Sequence, residues 1–129
     1  MKEKDEMLSA LRNLGIDRTA VRMMQEDIAN IEKDIKKELP AVQREALKKE
    51  RAMLQLSMNA AEHRISRIER LLSLLSPVEQ EVLERTIVNS YPEVVFDLAT
   101  EMECDSSRIY RIRARAINKM VHLRYGAGA

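Results

Sequence analysis

Residues 98–115 read LATEMECDSSRIYRIRAR, two helix-forming segments joined by a short polar turn. The turn, Glu103-Cys104-Asp105, is too polar and too short for any other structure, and Asp105 is suited to cap the helix that follows it. We expect helices over about 92–102 and about 105–123. Two helices joined by such a turn, the second of them basic, are typical of a helix-turn-helix.

A small apolar core is expected around this turn. Ala99 lies where the first helix should cross the second, a position at which a larger side chain would hold the helices apart. The other expected core residues are Leu98, Met102, Cys104, Ile109 and Ile112. Glu103 departs from the usual pattern, because such turns generally have Gly at this position. A non-Gly residue adopts the left-handed backbone conformation there at a modest cost.

The charges of the chain are distributed unevenly, although the net charge is only +1. Residues 1–75 carry 15 basic and 13 acidic side chains, and residues 76–105 carry one basic and eight acidic side chains. Residues 106–129 carry six basic side chains and no acidic one. This concentration of positive charge predicts an anionic partner for the last helix.

Hydrogen-bond donors surround the apolar positions of this last helix. Arg can bind guanine bidentately in the major groove of DNA, and Ser or Tyr can reach bases or phosphates. The residues expected to read base edges are Ser106, Ser107, Tyr110 and Arg111. The residues expected to bind phosphate, which would make affinity depend on salt, are Arg108, Arg113, Arg115 and Lys119.

The N-terminal part of the chain predicts long helices. A short helix from about Lys4 to Leu14 is expected to end at Gly15, since glycine suits the position after a helix end. Apolar residues then recur at alternating steps of three and four, which indicates two helices that pack along their length. These residues are Val21, Met24, Ile28, Ile31 and Ile35, and then Leu47, Leu54, Met58, Ala61, Ile65, Ile68, Leu72 and Leu75. The short connection at Pro40 predicts an antiparallel coiled-coil hairpin.

These patterns give an all-α fold in which a long helical hairpin precedes a helix-turn-helix module. We expect the hairpin over 1–75, serving dimerisation or partner binding, the DNA-binding module over 76–125, and a flexible tail over 126–129. The module should begin at Ser76-Pro77-Val78-Glu79, which combines a Ser cap, Pro at the first helical position and a Glu that bonds back to the cap. That helix is expected to extend to about Asn89.

Several classes of function are disfavoured by the composition. No apolar stretch approaches the length of about 20 residues that a membrane span requires, and the start of the chain lacks a signal peptide, so we expect a cytoplasmic protein without membrane contact. Cys104 is the single cysteine, and His63 and His122 are not at ligand spacing, so no metal site or other cofactor is expected. The sequence has no Gly-rich phosphate loop and no Ser-His-Asp arrangement. We therefore expect no enzyme activity.

Residues 75–122 also resemble a known family. The residues that carry the resemblance are Leu75-Ser76-Pro77, Glu79, Val82, Leu83, Leu98-Ala99 and the run SRIYRIRARAINKM over 107–120. They resemble region 4 of sigma-70 factors, and more closely the sigma-like phage regulators of the ArpU/RinA type, which activate late operons. In those regulators a charged helical segment precedes the same C-terminal module.

The resemblance implies a protein that binds promoter DNA beside RNA polymerase. In sigma region 4 the turn and the start of the recognition helix read the −35 element, and the matching positions here are Ser106, Ser107, Tyr110 and Arg111. Those factors generally have Arg or Glu at the first two positions. Because this chain has Ser at both, its preferred DNA sequence should differ from an ordinary −35 element.

Three functions remain open at this point. The first is an independent DNA-binding transcription regulator whose hairpin forms a homo-oligomer or contacts RNA polymerase. The second is a coiled-coil adaptor or phage assembly protein that does not bind DNA and acts through the hairpin. The third is a sigma-like subunit that binds DNA tightly only with polymerase, since one such module buries little surface on DNA.

Overall fold

The computed structural model describes residues 2–126, and every regular element in that range is a helix, which confirms the all-α prediction. The elements are α1 (Lys2–Ile35), α2 (Ala41–Leu72), α3 (Pro77–Leu83), a π-helical segment (Glu84–Val88), α4 (Val94–Glu101) and α5 (Ser106–Tyr125). None of these helices has the length and apolar character needed to cross a bilayer. The tail predicted over 126–129 lies outside the described residues, apart from Gly126.

The chain forms two compact units. One comprises Met1–Gly15 and Arg67–Ala129, and the other comprises Ile16–Ser66. The hairpin that we predicted over 1–75 therefore supplies residues to both units, because the start of α1 and the end of α2 belong with the C-terminal helices.

The unit Ile16–Ser66 contains the predicted helical hairpin. Its α1 and α2 portions bury part of the three-four pattern, namely Ile28, Ile31, Met58 and Ala61. Arg64 on α2 donates two hydrogen bonds to the Asp17 carboxylate on α1, each 3.1 Å long, which brings distant parts of the chain together. Near the connection, the Arg44 guanidinium donates to the Lys37 carbonyl oxygen at 3.3 Å.

Gly15 does not end a helix, so the prediction of a short N-terminal helix is wrong. Helix α1 runs from Lys2 to Ile35 without a break. A Cβ atom built on Gly15 would lie 2.6 Å from the Val88 carbonyl oxygen and 3.4 Å from Val88 Cγ1. Gly15 is therefore needed for the close approach of α1 to the π-helical segment, because any side chain would displace one backbone from the other.

The unit that holds the C-terminal helices buries apolar side chains from several helices. Met7, Leu11 and Leu14 of α1 are almost fully buried in it. The later helices contribute Val82, Leu83, Leu98, Ile109 and Met120, which are also inaccessible to solvent. These residues come from α1, α3, α4 and α5, and α5 packs against both α3 and α4.

The predicted start of α3 is confirmed. The Ser76 hydroxyl accepts the Glu79 backbone N–H at 3.2 Å, and the Glu79 carboxylate accepts the Ser76 backbone N–H at 3.1 Å. The helix that we expected to reach Asn89 changes character after Leu83. Its last turns are π-helical, with the Asn89 N–H donating to the Glu84 carbonyl oxygen at 2.9 Å.

The turn between α4 and α5 closes with a Schellman motif. The Cys104 N–H donates to the Ala99 carbonyl oxygen at 2.9 Å, and the Glu103 N–H donates to the Thr100 carbonyl oxygen at 3.2 Å. Glu103 has a φ of 54°, so the expected left-handed residue is confirmed. Asp105 occupies the cap position with extended backbone, but its side chain makes no capping hydrogen bond, and that part of the prediction is wrong.

The small core around this turn is also confirmed. Leu98, Ala99 and Ile109 are buried together with Val82 of α3, which was not among the residues predicted for this core. Met102, Cys104 and Ile112 pack against this cluster as partly buried side chains. The turn and the core together fix the direction in which α5 leaves α4.

Replacing Glu103 with Gly should stabilise the protein. Glycine tolerates the left-handed conformation without the Cβ penalty, so we expect the free energy of unfolding to rise by about 1 kcal/mol after the entropic cost of glycine is deducted. Chemical denaturation of Glu103→Gly measures this change. Glu103→Ala is the matched control, because it removes the same carboxylate but keeps the Cβ atom. An equal gain from both variants would show that the carboxylate, rather than the backbone, limits stability.

Candidate nucleic-acid interface

Three arginines lie side by side on one exposed face of α5. Arg108, Arg111 and Arg115 occupy positions i, i+3 and i+7, which share a helix face. With Ile112 they line a groove of about 230 Å³, and no carboxylate contributes to its lining. We call this surface the arginine groove. Its guanidinium groups repel one another, and an anion seated among them would relieve that repulsion.

The arginine groove is not neutralised from within the described part of the chain. None of its three guanidinium groups has a carboxylate within ion-pair distance there. Several acidic side chains of residues 76–105 are bound elsewhere, among them Glu79, Glu101 and Asp97. Both terminal Nη atoms of Arg85 donate to the Glu101 carboxylate, which lowers the pKa of Glu101. Asp97 accepts a hydrogen bond of 2.7 Å from the Tyr91 hydroxyl.

The four residues predicted to read bases all lie exposed in the first turns of α5. They do not share one face. Ser107 and Arg111 are one helical turn apart and lie on the side of the arginine groove. Ser106 and Tyr110 form a second pair, and Tyr110 lines a different cavity together with Arg113. The structure thus brings Ser107 and Arg111 together with Arg108 and Arg115, and places Ser106 and Tyr110 beside that group.

Lys119, predicted to bind phosphate, has a partner within the chain. Its Nζ atom lies 3.0 Å from the carboxylate of Glu79, which is buried at the start of α3. Burial pushes the pKa of Glu79 upward, but hydrogen bonds from Lys119 and from the Ser76 backbone and hydroxyl outweigh it and leave the pKa below its ordinary value. The pair holds α5 against α3, so Lys119 contributes to the position of the helix.

Arg113, also predicted to bind phosphate, lies away from the arginine groove. Its side chain is half-buried, and its Nε atom is inaccessible to solvent without a hydrogen-bond partner among the described residues. It lines a cavity of about 520 Å³ with Arg12 of α1. Sequence reasoning did not identify Arg12, because nothing in its local sequence separates it from the other charges of a long solvated helix.

Residues 2–126 contain no group of three His, Cys, Asp or Glu side chains that could hold a metal ion. Cys104 is a half-buried free thiol beside the turn.

The chain has no significant match among models of protein families, curated proteins or solved structures. The similarity of residues 75–122 to sigma region 4 and to the ArpU/RinA regulators therefore stays a prediction from the motif residues. The arginine groove and the cavity lined by Arg12 and Arg113 are observed in the structure and do not depend on that similarity.

Proposed function

We propose that this chain is a sequence-specific, DNA-binding transcription regulator without enzyme activity, with α4 and α5 acting as a helix-turn-helix. The arginine groove is the observation that carries the proposal, because it presents three unpaired guanidinium groups on one exposed helix face. The resemblance of residues 75–122 supports the narrower proposal of a cytoplasmic, sigma-like activator of phage or prophage late genes that acts beside RNA polymerase.

In the proposed complex, α5 lies in the major groove of double-stranded DNA. Ser107 and Arg111 are near its N-terminal end, where recognition helices approach base edges, and Arg111 would bind guanine bidentately. Arg108 and Arg115 flank Arg111 along the helix and would bind phosphates. Tyr110 and Ser106 would reach the backbone or bases on the neighbouring side of α5.

The turn between α4 and α5 supports this assignment. A helix can read bases only if its angle to the rest of the protein is fixed, since small rotations move the arginine ends by several ångströms. The Schellman motif at Glu103 and Cys104, the buried Ala99 and the Lys119–Glu79 ion pair together restrict this rotation. They give α5 the rigid support that specific recognition needs.

The hairpin is proposed to raise DNA affinity through self-association or contact with RNA polymerase. A single helix-turn-helix buries little DNA surface and binds weakly unless it is doubled or assisted. The unit Ile16–Ser66 exposes large apolar side chains that a second chain could cover, namely Ile16, Met23, Val42, Met53 and Leu56. Sedimentation distinguishes the two roles, because a dimer supports independent binding to a two-part site and a monomer supports assistance by polymerase.

A second candidate function is a coiled-coil adaptor or phage assembly protein that does not bind DNA. The same exposed apolar side chains favour it, since Val42 is 82% exposed and Met53 and Leu56 are each 70% exposed. Met53 and Leu56 are one helical turn apart on α2, so a partner that covers them would bury adjacent apolar side chains. In this alternative the hairpin carries the function, and α5 is a solvated basic helix.

Titration with DNA tests the proposed function. The full chain is titrated against the duplex upstream of its own operon and against random duplex of equal length, at several salt concentrations and with or without RNA polymerase. We expect tighter binding to the upstream duplex, by about 1000-fold or more, with log affinity falling by about 2 to 4 per decade of salt. No binding at low salt, with polymerase present, would reject the regulator and favour the adaptor.

A further inference from the structure

A second polar cavity, of about 520 Å³, lies in the unit formed by residues 1–15 and 67–129. Its polar and aromatic lining includes Arg12, Ser90, Tyr91, Tyr110 and Arg113. We call it the Arg12–Arg113 cavity. Its size falls in the range of sites that hold small ligands, which is about 300 to 1000 Å³.

The Arg12–Arg113 cavity has an unbalanced positive charge. Its two guanidinium groups come from α1 and α5, and no Asp or Glu lines it. Neither arginine has an ion pair or a hydrogen-bond partner among residues 2–126, and Arg113 Nε is fully shielded from solvent. Shielding a cationic donor without a partner is unfavourable, because the lost hydration is not replaced. An anion in the cavity would supply that partner.

Two carboxylates near this cavity already have partners of their own and are not part of its lining. Asp97 accepts a hydrogen bond from the Tyr91 hydroxyl, and Glu101 is bound by Arg85. Among the other hydroxyl groups of the lining, that of Thr86 donates to the Val82 carbonyl oxygen at 2.6 Å, and those of Ser90 and Tyr110 are able to donate to a ligand. The cavity lining therefore combines two guanidinium groups with neutral hydrogen-bond donors. No carboxylate in the lining would compete with an anionic ligand for them.

We infer that the Arg12–Arg113 cavity binds a phosphoryl group. Its tetrahedral oxygens can accept from two guanidinium groups and a hydroxyl at once, whereas a carboxylate offers only two oxygens. The group can come from the DNA backbone beside α5, since Tyr110 and Arg113 lie on that helix, or from a free phosphorylated small molecule. The first source rests on the proposed function, and the second does not.

The test compares Arg12→Gln with Arg22→Gln. Both side chains are exposed on α1 and both substitutions remove one charge, but Arg22 lies outside the cavity. Each full-length variant is titrated with inorganic phosphate by calorimetry and, separately, with the upstream duplex at several salt concentrations. Arg113→Gln is measured in the same way, after circular dichroism has established that it is folded, as the second cavity variant.

We expect Arg12→Gln and Arg113→Gln to weaken one of the two interactions by about tenfold or more, as the loss of a hydrogen bond to a charged group predicts. If phosphate comes from DNA, the salt slope of duplex binding should fall by about one for Arg12→Gln and stay unchanged for Arg22→Gln. If it comes from a small molecule, saturable binding of inorganic phosphate should be lost while duplex binding is kept.

The outcomes separate this inference from the proposed function. If wild type binds the duplex and Arg12→Gln matches Arg22→Gln with both probes, the cavity proposal is overturned and the regulator stands. If wild type binds no DNA but binds phosphate through Arg12, the regulator is rejected and the cavity stands. Failure of wild type with both probes overturns both.

Discussion

Reversing the charges of Arg111 and Arg115 together should weaken binding to the upstream duplex by at least about 100-fold. Each lost contact between an arginine and a base or phosphate removes about 1 to 3 kcal/mol, and the new carboxylates also repel the DNA backbone. Both side chains are exposed on α5 and neither has an ion-pair partner in the described part of the chain, so the fold should be retained. Fluorescence anisotropy with labelled duplex measures the loss.

Arg22→Glu combined with Lys49→Glu is the matched control for this double variant. These exposed residues lie on α1 and α2 in the unit Ile16–Ser66, and their reversal changes the net charge by the same amount. We expect a loss of affinity of less than about threefold, since these residues are outside the arginine groove and exposed charges are screened by salt. Equal losses from the two double variants would mean that only net charge matters, and the arginine groove would not be the interface.

The helix boundaries of the C-terminal unit were predictable because the chemistry that sets them is local. The capping box at Ser76 and Glu79 places donor and acceptor within one helical turn. The turn at Glu103 similarly depends on hydrogen bonds to Ala99 and Thr100, which are close in sequence. A short window of sequence contains both partners in each case, so the expected geometry could be derived without knowing the rest of the fold.

Which basic residues of α5 line the arginine groove and which lie against other helices could be predicted only in part. Helical periodicity places Arg108, Arg111 and Arg115 on one face, and the structure has them there. The environments of Lys119 and Arg113 depend on Glu79 and Arg12, which come from other helices far along the chain. These neighbours could not be predicted from a periodic pattern, because such a pattern shows which residues share a helix face but not which residues of other helices lie opposite them.

The π-helical segment and the role of Gly15 could not be predicted either, because both depend on contacts between residues that are remote in sequence. Nothing in the local sequence of Glu84–Val88 distinguishes it from ordinary helix, and it ends beside α1 with its Val88 carbonyl against Gly15. A glycine within helix-forming sequence is compatible with a helix end or with a close contact inside a helix. Only the position of Val88, remote in sequence, decides between them.

Gly15→Ala should therefore destabilise the protein, although helix propensity alone predicts the opposite. In the interior of a helix, alanine is better than glycine by about 1 kcal/mol. The new Cβ atom would lie 2.6 Å from the Val88 carbonyl oxygen, so α1 and the π-helical segment must separate. Overpacking of this kind costs about 1 to 3 kcal/mol and would loosen the contacts of Leu11 and Leu14. Chemical denaturation should show a net loss of about 1 to 2 kcal/mol, since the steric cost exceeds the propensity gain.

Two further variants separate the steric term from the propensity term. Ala29→Gly, at an exposed position of the same helix, should lower stability by about 1 kcal/mol and so measures the propensity difference within α1. Gly15→Leu adds a larger side chain and should destabilise more than Gly15→Ala, because the extra atoms meet the same backbone. If Gly15→Ala instead raised the free energy of unfolding by the amount that Ala29→Gly lowers it, α1 would not be held against Val88. In that case α1 would not pack against the C-terminal helices as described, and Arg12 would not line the cavity.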